Sequence, residues 1–131
     1  MNQRSASCSC GQLSLAIDGD PVRVAICHCL ACQRRTGSVF GVQARFNANQ
    51  VAITGLSSEY VRTGDSGGRV RFHFCPTCGA TVYYRFEHGG DFVGVPVGAF
   101  ADPAFPSPVF SVYEERQHAW VRVPEDIEHH V

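Results

Sequence analysis

Cysteine is the residue type best placed to do chemistry in this chain, and its seven copies form three groups: Cys8-Ser-Cys10-Gly11, Cys27-His-Cys29-Leu-Ala-Cys32 and Cys75-Pro-Thr-Cys78-Gly79. An odd count strands one thiol in any full disulfide pairing, and a reducing cytoplasm disfavours disulfides altogether. Metal binding is therefore the leading explanation. The third group is a specific signal, because two residues between thiolates let a tight turn aim both sulfurs at one metal, and Gly79 permits the left-handed backbone that the turn needs. A structural zinc is usually closed by four protein ligands, so Cys75 and Cys78 require two more. Cys8 and Cys10 can supply them, leaving Cys27, Cys29 and Cys32 as a second cluster. Alternatively Cys29 and Cys32 complete a zinc ribbon, and Cys8, Cys10 and Cys27 stay unexplained. The first partition keeps each local group intact and is preferred; the second remains open.

Under the preferred partition the second cluster has three thiolates and no obvious fourth ligand, the arrangement of a zinc with one position free for water or substrate. His28 is a poor fourth ligand, since on an extended segment it points away from Cys27 and Cys29. His73 shares strand parity with Cys75 and is a minor candidate for the first site. His88, His118, His129 and His130 fall in turns or the tail, most of them solvated. Three thiolates donate strongly to a zinc, so it acidifies water less than a neutral three-histidine site does. Hydrolysis is thus disfavoured. A fourth thiol, in contrast, is bound as thiolate near neutral pH and stays nucleophilic. The following Gln33-Arg34-Arg35-Thr36-Gly37-Ser38 adds cations and hydroxyls beside this charge. Arg34 is a candidate for a substrate carboxylate, and Thr36 and Ser38 for the thiol's backbone or a developing alkoxide.

The elements that must position these residues read as β. Short apolar or alternating runs, broken by Gly, Pro, Asp and Asn, predict strands over 13–17, 22–26, 40–46, 51–53, 58–62, 70–74, 81–86, 92–97, 109–113 and 119–123. Turns fall at 64–68 and at Gly89-Gly90. A helical turn or two is expected over 30–35, ended by Gly37 as its C-cap. Residues 102–108 carry three prolines and form a rigid loop, and the polar tail 125–131 is expected to fray. The economical architecture is a mainly β, antiparallel sandwich or rolled sheet, one domain over 1–131 with its ordered part at about 5–125. With 131 residues, 44% hydrophobic and 18% charged, the chain suits a single core. Its net charge of -1 and scattered basic residues argue against nucleic acid and anionic membrane as partners. No run reaches the length of a membrane span and the first residues lack a secretory signal, so a soluble cytoplasmic protein is expected, of unknown oligomeric state.

The ordered set of motifs resembles the glutathione-dependent formaldehyde-activating enzyme family, with its centromere-protein-V-like relatives. The resemblance rests on Cys8-Ser-Cys10-Gly11, on Cys27-His-Cys29-Leu-Ala-Cys32-Gln-Arg-Arg-Thr36-Gly37-Ser38 followed by Phe40, and on Phe74-Cys75-Pro-Thr-Cys78-Gly79. It continues through Gly98-Ala-Phe100-Ala-Asp102-Pro103 and Trp120 ahead of Pro124. It implies a β-rich Mss4-like fold with two zincs, Cys8, Cys10, Cys75 and Cys78 holding the structural one, and Cys27, Cys29 and Cys32 the working one. It also implies a carbon-sulfur lyase that reversibly adds a thiol, glutathione in the named enzyme, to formaldehyde. Two other readings accompany it. One is a non-catalytic carrier of the thiol or its adduct; the other is an interaction domain with two structural metals and an exposed surface near Trp120 and Phe105.

Overall fold

The computed structural model describes residues 2–64 and 67–131. The chain runs through β1 (Gln3–Ser7), β2 (Ser14–Asp18), β3 (Arg23–Cys27), α1 (Leu30–Thr36), β4 (Gly41–Asn47), β5 (Val51–Thr54), β6 (Ser58–Thr63), β7 (Arg69–Phe74), β8 (Thr81–Phe86), β9 (Phe92–Pro96), β10 (Phe110–Val112) and β11 (Glu128–His129). Strands β1, β2 and β5 form a small antiparallel sheet, and the other eight a large one in the order β11-β10-β3-β4-β9-β8-β7-β6. The mainly β expectation is thus met, and the pairing is antiparallel except where β10 lies parallel to β3 and β11. Asp65 and Ser66 of the expected 64–68 turn lie outside the described residues.

Period-two alternation gives the large sheet two chemically different faces. Val24, Ala44, Phe46, Val93 and Val95 point to one face and pack against Leu15 and Ile17 of the small sheet, all of them 4% exposed or less. The opposite face carries Arg23, Ala25 and Cys27 on β3, aligned with Arg45, Gln43 and Gly41 on β4. Gly94, Tyr84 and Phe72 extend it across β9, β8 and β7. One face therefore makes the core. The other is left to make a site.

Three local expectations change. Residues 119–123 form no strand: 119–120 are a turn, with Val121 N–H donating to the His118 carbonyl at 3.0 Å, and of the apolar run Val121 is buried while Trp120 is exposed. Strand β1 begins at Gln3, because its polar outward residues disguise an alternation in which Ala6 packs under Leu15. The tail does not fray. Glu128–His129 lies parallel to β10, itself parallel to β3, and His130 N–H donates to the Ser111 carbonyl at 2.8 Å. Among the described residues no helix is long and apolar enough to cross a membrane.

The tail is also held by His129 Nδ1 and the Glu114 carboxylate, 2.6 Å apart. The Glu114 hydrogen bond, helped by the Glu125 carbonyl, raises the His129 pKa above its usual 6.5. Burial opposes ionisation of Glu114, but hydrogen bonds from His129 and Ser111 bring it below 4.5. The histidine's contribution is complete below pH 6.5 and is lost as pH rises through its raised value. That of the glutamate is complete above pH 4.5 and is lost as pH falls through its lowered value. Protection of the His130 amide from hydrogen exchange is therefore expected to peak between those limits and to become flat with pH in His129→Ala. A flat profile in the wild type would contradict this pinning.

Candidate metal centres

Two knuckle turns build the first cluster. At the end of β1, Cys8 N–H donates to the Leu13 carbonyl (2.9 Å) and Gly11 N–H returns to Cys8 (3.2 Å), wrapping the chain around the two sulfurs. At the end of β7, Cys75 and Ala80 are joined at 2.9 Å, and Gly79, with φ +80, donates to the Cys75 carbonyl at 2.8 Å. The four sulfurs of Cys8, Cys10, Cys75 and Cys78 lie within 4.8 Å of one another. Sulfur separations of 3.7 Å for Cys8–Cys10 and 3.6 Å for Cys10–Cys75 match the ~3.8 Å edge of a tetrahedron with ~2.3 Å metal–sulfur bonds. The alternative zinc-ribbon pairing is excluded by this grouping.

Backbone and side-chain donors aim at these sulfurs. Leu13 N–H approaches Cys8 at 3.4 Å, and Thr77 N–H and Gln12 Nε2 approach Cys75 at 3.4 and 3.1 Å. Burial works against ionising Cys75, yet the Cys78 amide, Gln12 and the Thr77 amide bring its thiol down to about 6. Such donors favour a thiolate at Cys75, and four thiolates held this close would require a cation. Gln12 was not legible as a site residue. It spans to Leu56, donating to its carbonyl (2.6 Å) and accepting from its N–H (3.0 Å), so one side chain ties the cluster to the loop after β5. His73 takes no part: it accepts or donates at Ser57 (2.9 Å), faces Glu59 (3.2 Å) and stacks on Tyr83.

The second cluster joins a strand end to a helix start. Cys27 closes β3, Cys29 is the N-cap of α1, its sulfur accepting from Cys32 N–H at 3.3 Å, and Cys32 faces inward one turn later. Gly37, with φ 73, ends the helix as expected. These three sulfurs also lie within 4.8 Å of one another. Cys27 and Cys32 are buried and Cys29 is half-buried. The Cys27 hydrogen bond takes the Cys32 thiol down to about 6, against the pull of burial and with help from Cys29, Arg35 and Arg62. Cys27 moves the opposite way, pushed up by Cys32 and by burial. Three thiolates held this close together fit a soft divalent cation, as at the first cluster.

His28 points away from the sulfurs, as its parity requires. It is fully buried, with Nε2 3.1 Å from Ser111 Oγ and its backbone N–H donating to the Val112 carbonyl. Gln33, also missed in the sequence, donates to the His28 carbonyl (2.9 Å) and faces His118 (3.0 Å), locking the helix start to the 112–118 segment. His118 is thereby half-buried, while His88, His129 and His130 are exposed.

A cleft of about 910 Å³ opens on Cys27, Cys29 and Cys32. Arg35, Arg45 and Arg62 line it, with Gln43, Phe72 and Tyr84. The Arg35 guanidinium lies 5.4 Å from the Phe72 and Tyr84 ring centres. Arg35 follows Cys32 by three residues and so shares its helix face, whereas Arg34 does not. Arg34, Thr36 and Ser38 are absent from the cleft wall. The Thr36 hydroxyl donates to the Cys32 carbonyl (2.9 Å) and accepts from Ser38 N–H (3.0 Å), serving the helix end. Trp120 is 69% exposed, and Phe105 stacks on Phe100 against the core.

The model of the glutathione-dependent formaldehyde-activating enzyme family matches residues 3–116, which include all seven cysteines. The fold is similar to the crystal structure of a Rhodobacter sphaeroides protein, with a TM-score of 0.60 and 18% identity over 82% of this chain and 98% of that one. No curated protein matches in sequence. The family match, spanning both cysteine clusters and the cleft residues between them, makes this chain a member of the glutathione-dependent formaldehyde-activating enzyme family.

Proposed function

We propose that this protein is a zinc-dependent carbon-sulfur lyase that reversibly adds a small thiol of the glutathione type to formaldehyde or a related small aldehyde. It would hold two zincs, a structural one on Cys8, Cys10, Cys75 and Cys78 and a working one on Cys27, Cys29 and Cys32. The observation that carries this reading is the three-sulfur cluster at the head of an open cleft, beside a complete four-sulfur cluster elsewhere. The reaction is RSH + CH2O → RSCH2OH: a carbon–sulfur bond forms as the carbonyl π pair moves to oxygen, which gains the proton that the thiol loses. Zinc on the three cysteines would supply a fourth position at which a thiol is held ionised near neutral pH.

The chain's own residues do the rest. Arg35 and Arg62 offset the accumulated thiolate charge. Gln43 has its oxygen taken by the Tyr84 hydroxyl at 3.0 Å, which leaves its amide N–H to donate to an aldehyde oxygen as charge builds there. Arg34, Thr36 and Ser38 support the helix end in this reading. Seven cysteines outside any disulfide, all of them ligands in this reading, suit a reducing compartment, the cytoplasm.

Exchange NMR with glutathione and 13C-formaldehyde tests it. Exchange between free formaldehyde and the S-hydroxymethyl adduct is expected to accelerate in proportion to protein, and to fall by more than ~100-fold in Cys29→Ser, since even outer partners of a metal ligand are worth 10–100-fold. Stoichiometric adduct binding with no acceleration would replace the lyase by a carrier. No thiol effect at all would leave an interaction domain.

A further inference from the structure

The chain has no lysine; its 11 basic residues are all arginine. Two of them, Arg23 and Arg45, are direct cross-strand partners on the site face of β3 and β4. Like charges placed directly opposite destabilise a sheet unless something neutralises them. Among the described residues neither forms an ion pair with a carboxylate. Both guanidiniums are nonetheless held in place. Arg23 lies 4.6 Å from the Phe110 ring centre, and Arg45 lies 5.0 and 5.2 Å from those of Phe86 and Phe92. A small pocket between them, about 10 Å³ and lined also by Gln43 and Gly94, has room for one oxygen-sized group. Gln43, Arg45 and Phe86 line this pocket and the large cleft alike, so the two adjoin.

We infer that Arg23 and Arg45 form a carboxylate subsite that anchors the end of the thiol remote from its sulfur. The inference rests on the reading that a glutathione-type thiol is held at Cys27, Cys29 and Cys32, and it adds where the charged end goes. Geometry supports the match. Arg23 and Cys27 share a strand face four residues apart, ~13 Å at the rise of an antiparallel strand. The sulfur of such a tripeptide sits on its middle residue, so a terminal carboxylate lies up to about two residues of chain, ~7 Å, away, and an arginine side chain covers the remainder. Burial and the neighbouring Arg23 both lower the Arg45 pKa, the signature of a desolvated cation without its counter-charge. Planar guanidiniums are suited to holding a carboxylate through paired hydrogen bonds.

S-Methylglutathione separates this subsite from the reaction, because its capped sulfur cannot be a thiolate while both carboxylates remain. Titration calorimetry on the metal-loaded protein should show it binding to the wild type and ~10- to 100-fold more weakly to Arg45→Gln, the range for hydrogen bonds to a charged group. Its diethyl ester should bind both proteins equally weakly. Arg45→Lys, which keeps charge but not the fork, should fall between. Arg23→Gln gives the same reading should Arg45→Gln fold poorly. If S-methylglutathione binds Arg45→Gln and Arg23→Gln as it binds the wild type, or fails to bind the wild type, the subsite is wrong. If binding depends on the arginines while formaldehyde exchange stays unaccelerated, the subsite stands and the proposed reaction falls.

Discussion

Cys75→Ser is expected to leave the chain without its native fold, whereas Cys29→Ser keeps it. Cys75 is fully buried and sits where the β7–β8 hairpin of the large sheet meets the β1–β2 hairpin of the small one. Its sulfur is 3.6 Å from Cys10 and receives Gln12, Thr77 and Cys78 donors. Zinc binding at such closed sites supplies ~10–16 kcal/mol at neutral pH, as large as the ~5–15 kcal/mol net stability of an ordinary domain. Losing one of four ligands removes much of that, and leaves the amides around Cys75 aimed at a group that no longer carries charge. Cys29 has a different burden. It caps a seven-residue helix, a role that serine fills equally well, and the β3–β4 pairing beneath it does not pass through its sulfur. Circular dichroism and native mass spectrometry check the contrast: little native β signal in Cys75→Ser, and a folded Cys29→Ser with one tightly held zinc. Equal destabilisation by the two substitutions would overturn the division into a structural and a working site.

How much of this was legible depended on whether the determinant was local. The partition of the cysteines was, since each knuckle is set by a few residues and a glycine, and ligand counting then favoured Cys8 and Cys10 as partners of Cys75 and Cys78. Helix α1 was legible for the same reason, with Gly37 as its stop. What escaped depends on neighbours distant in sequence. Arg23 and Arg45 are 22 positions apart and acquire meaning only through the β3–β4 register. Gln12 and Gln33 look like ordinary polar loop and helix residues until the loop at Leu56 and the segment at His118 are brought to them. Strand β11 is too short and polar to show an alternation, and it pairs because β10 offers an open edge. Arg35, and not Arg34, lines the cleft because three residues after Cys32, not two, returns to the ligand's face of the helix.

The same register logic makes Gly94 the most sensitive position in the cleft floor. Gly94 lies opposite Arg45 on one side and Tyr84 on the other, at the centre of the large sheet. A Cβ built there would overlap the Tyr84 ring, coming within 2.5 Å of its Cδ2. That ring is 1% exposed, packed against Phe72 at 5.2 Å and tethered through its hydroxyl to Gln43, so it can yield only toward the cleft and by giving up those contacts. Gly94→Ala is therefore expected to cost ~3 kcal/mol, the upper part of the range for overpacking a filled core. For a domain of this size the melting temperature should drop on the order of 10 °C. Displacing Tyr84 also releases Gln43 and disturbs Arg45, so binding of S-methylglutathione should weaken along with stability. Tyr84→Leu provides the control: it removes the ring that the methyl group strikes, so the double variant should be less destabilised than the sum of the two single ones. Strict additivity, or a Gly94→Ala protein that melts within a degree or two of wild type, would mean that Tyr84 is not the fixed wall of the cleft.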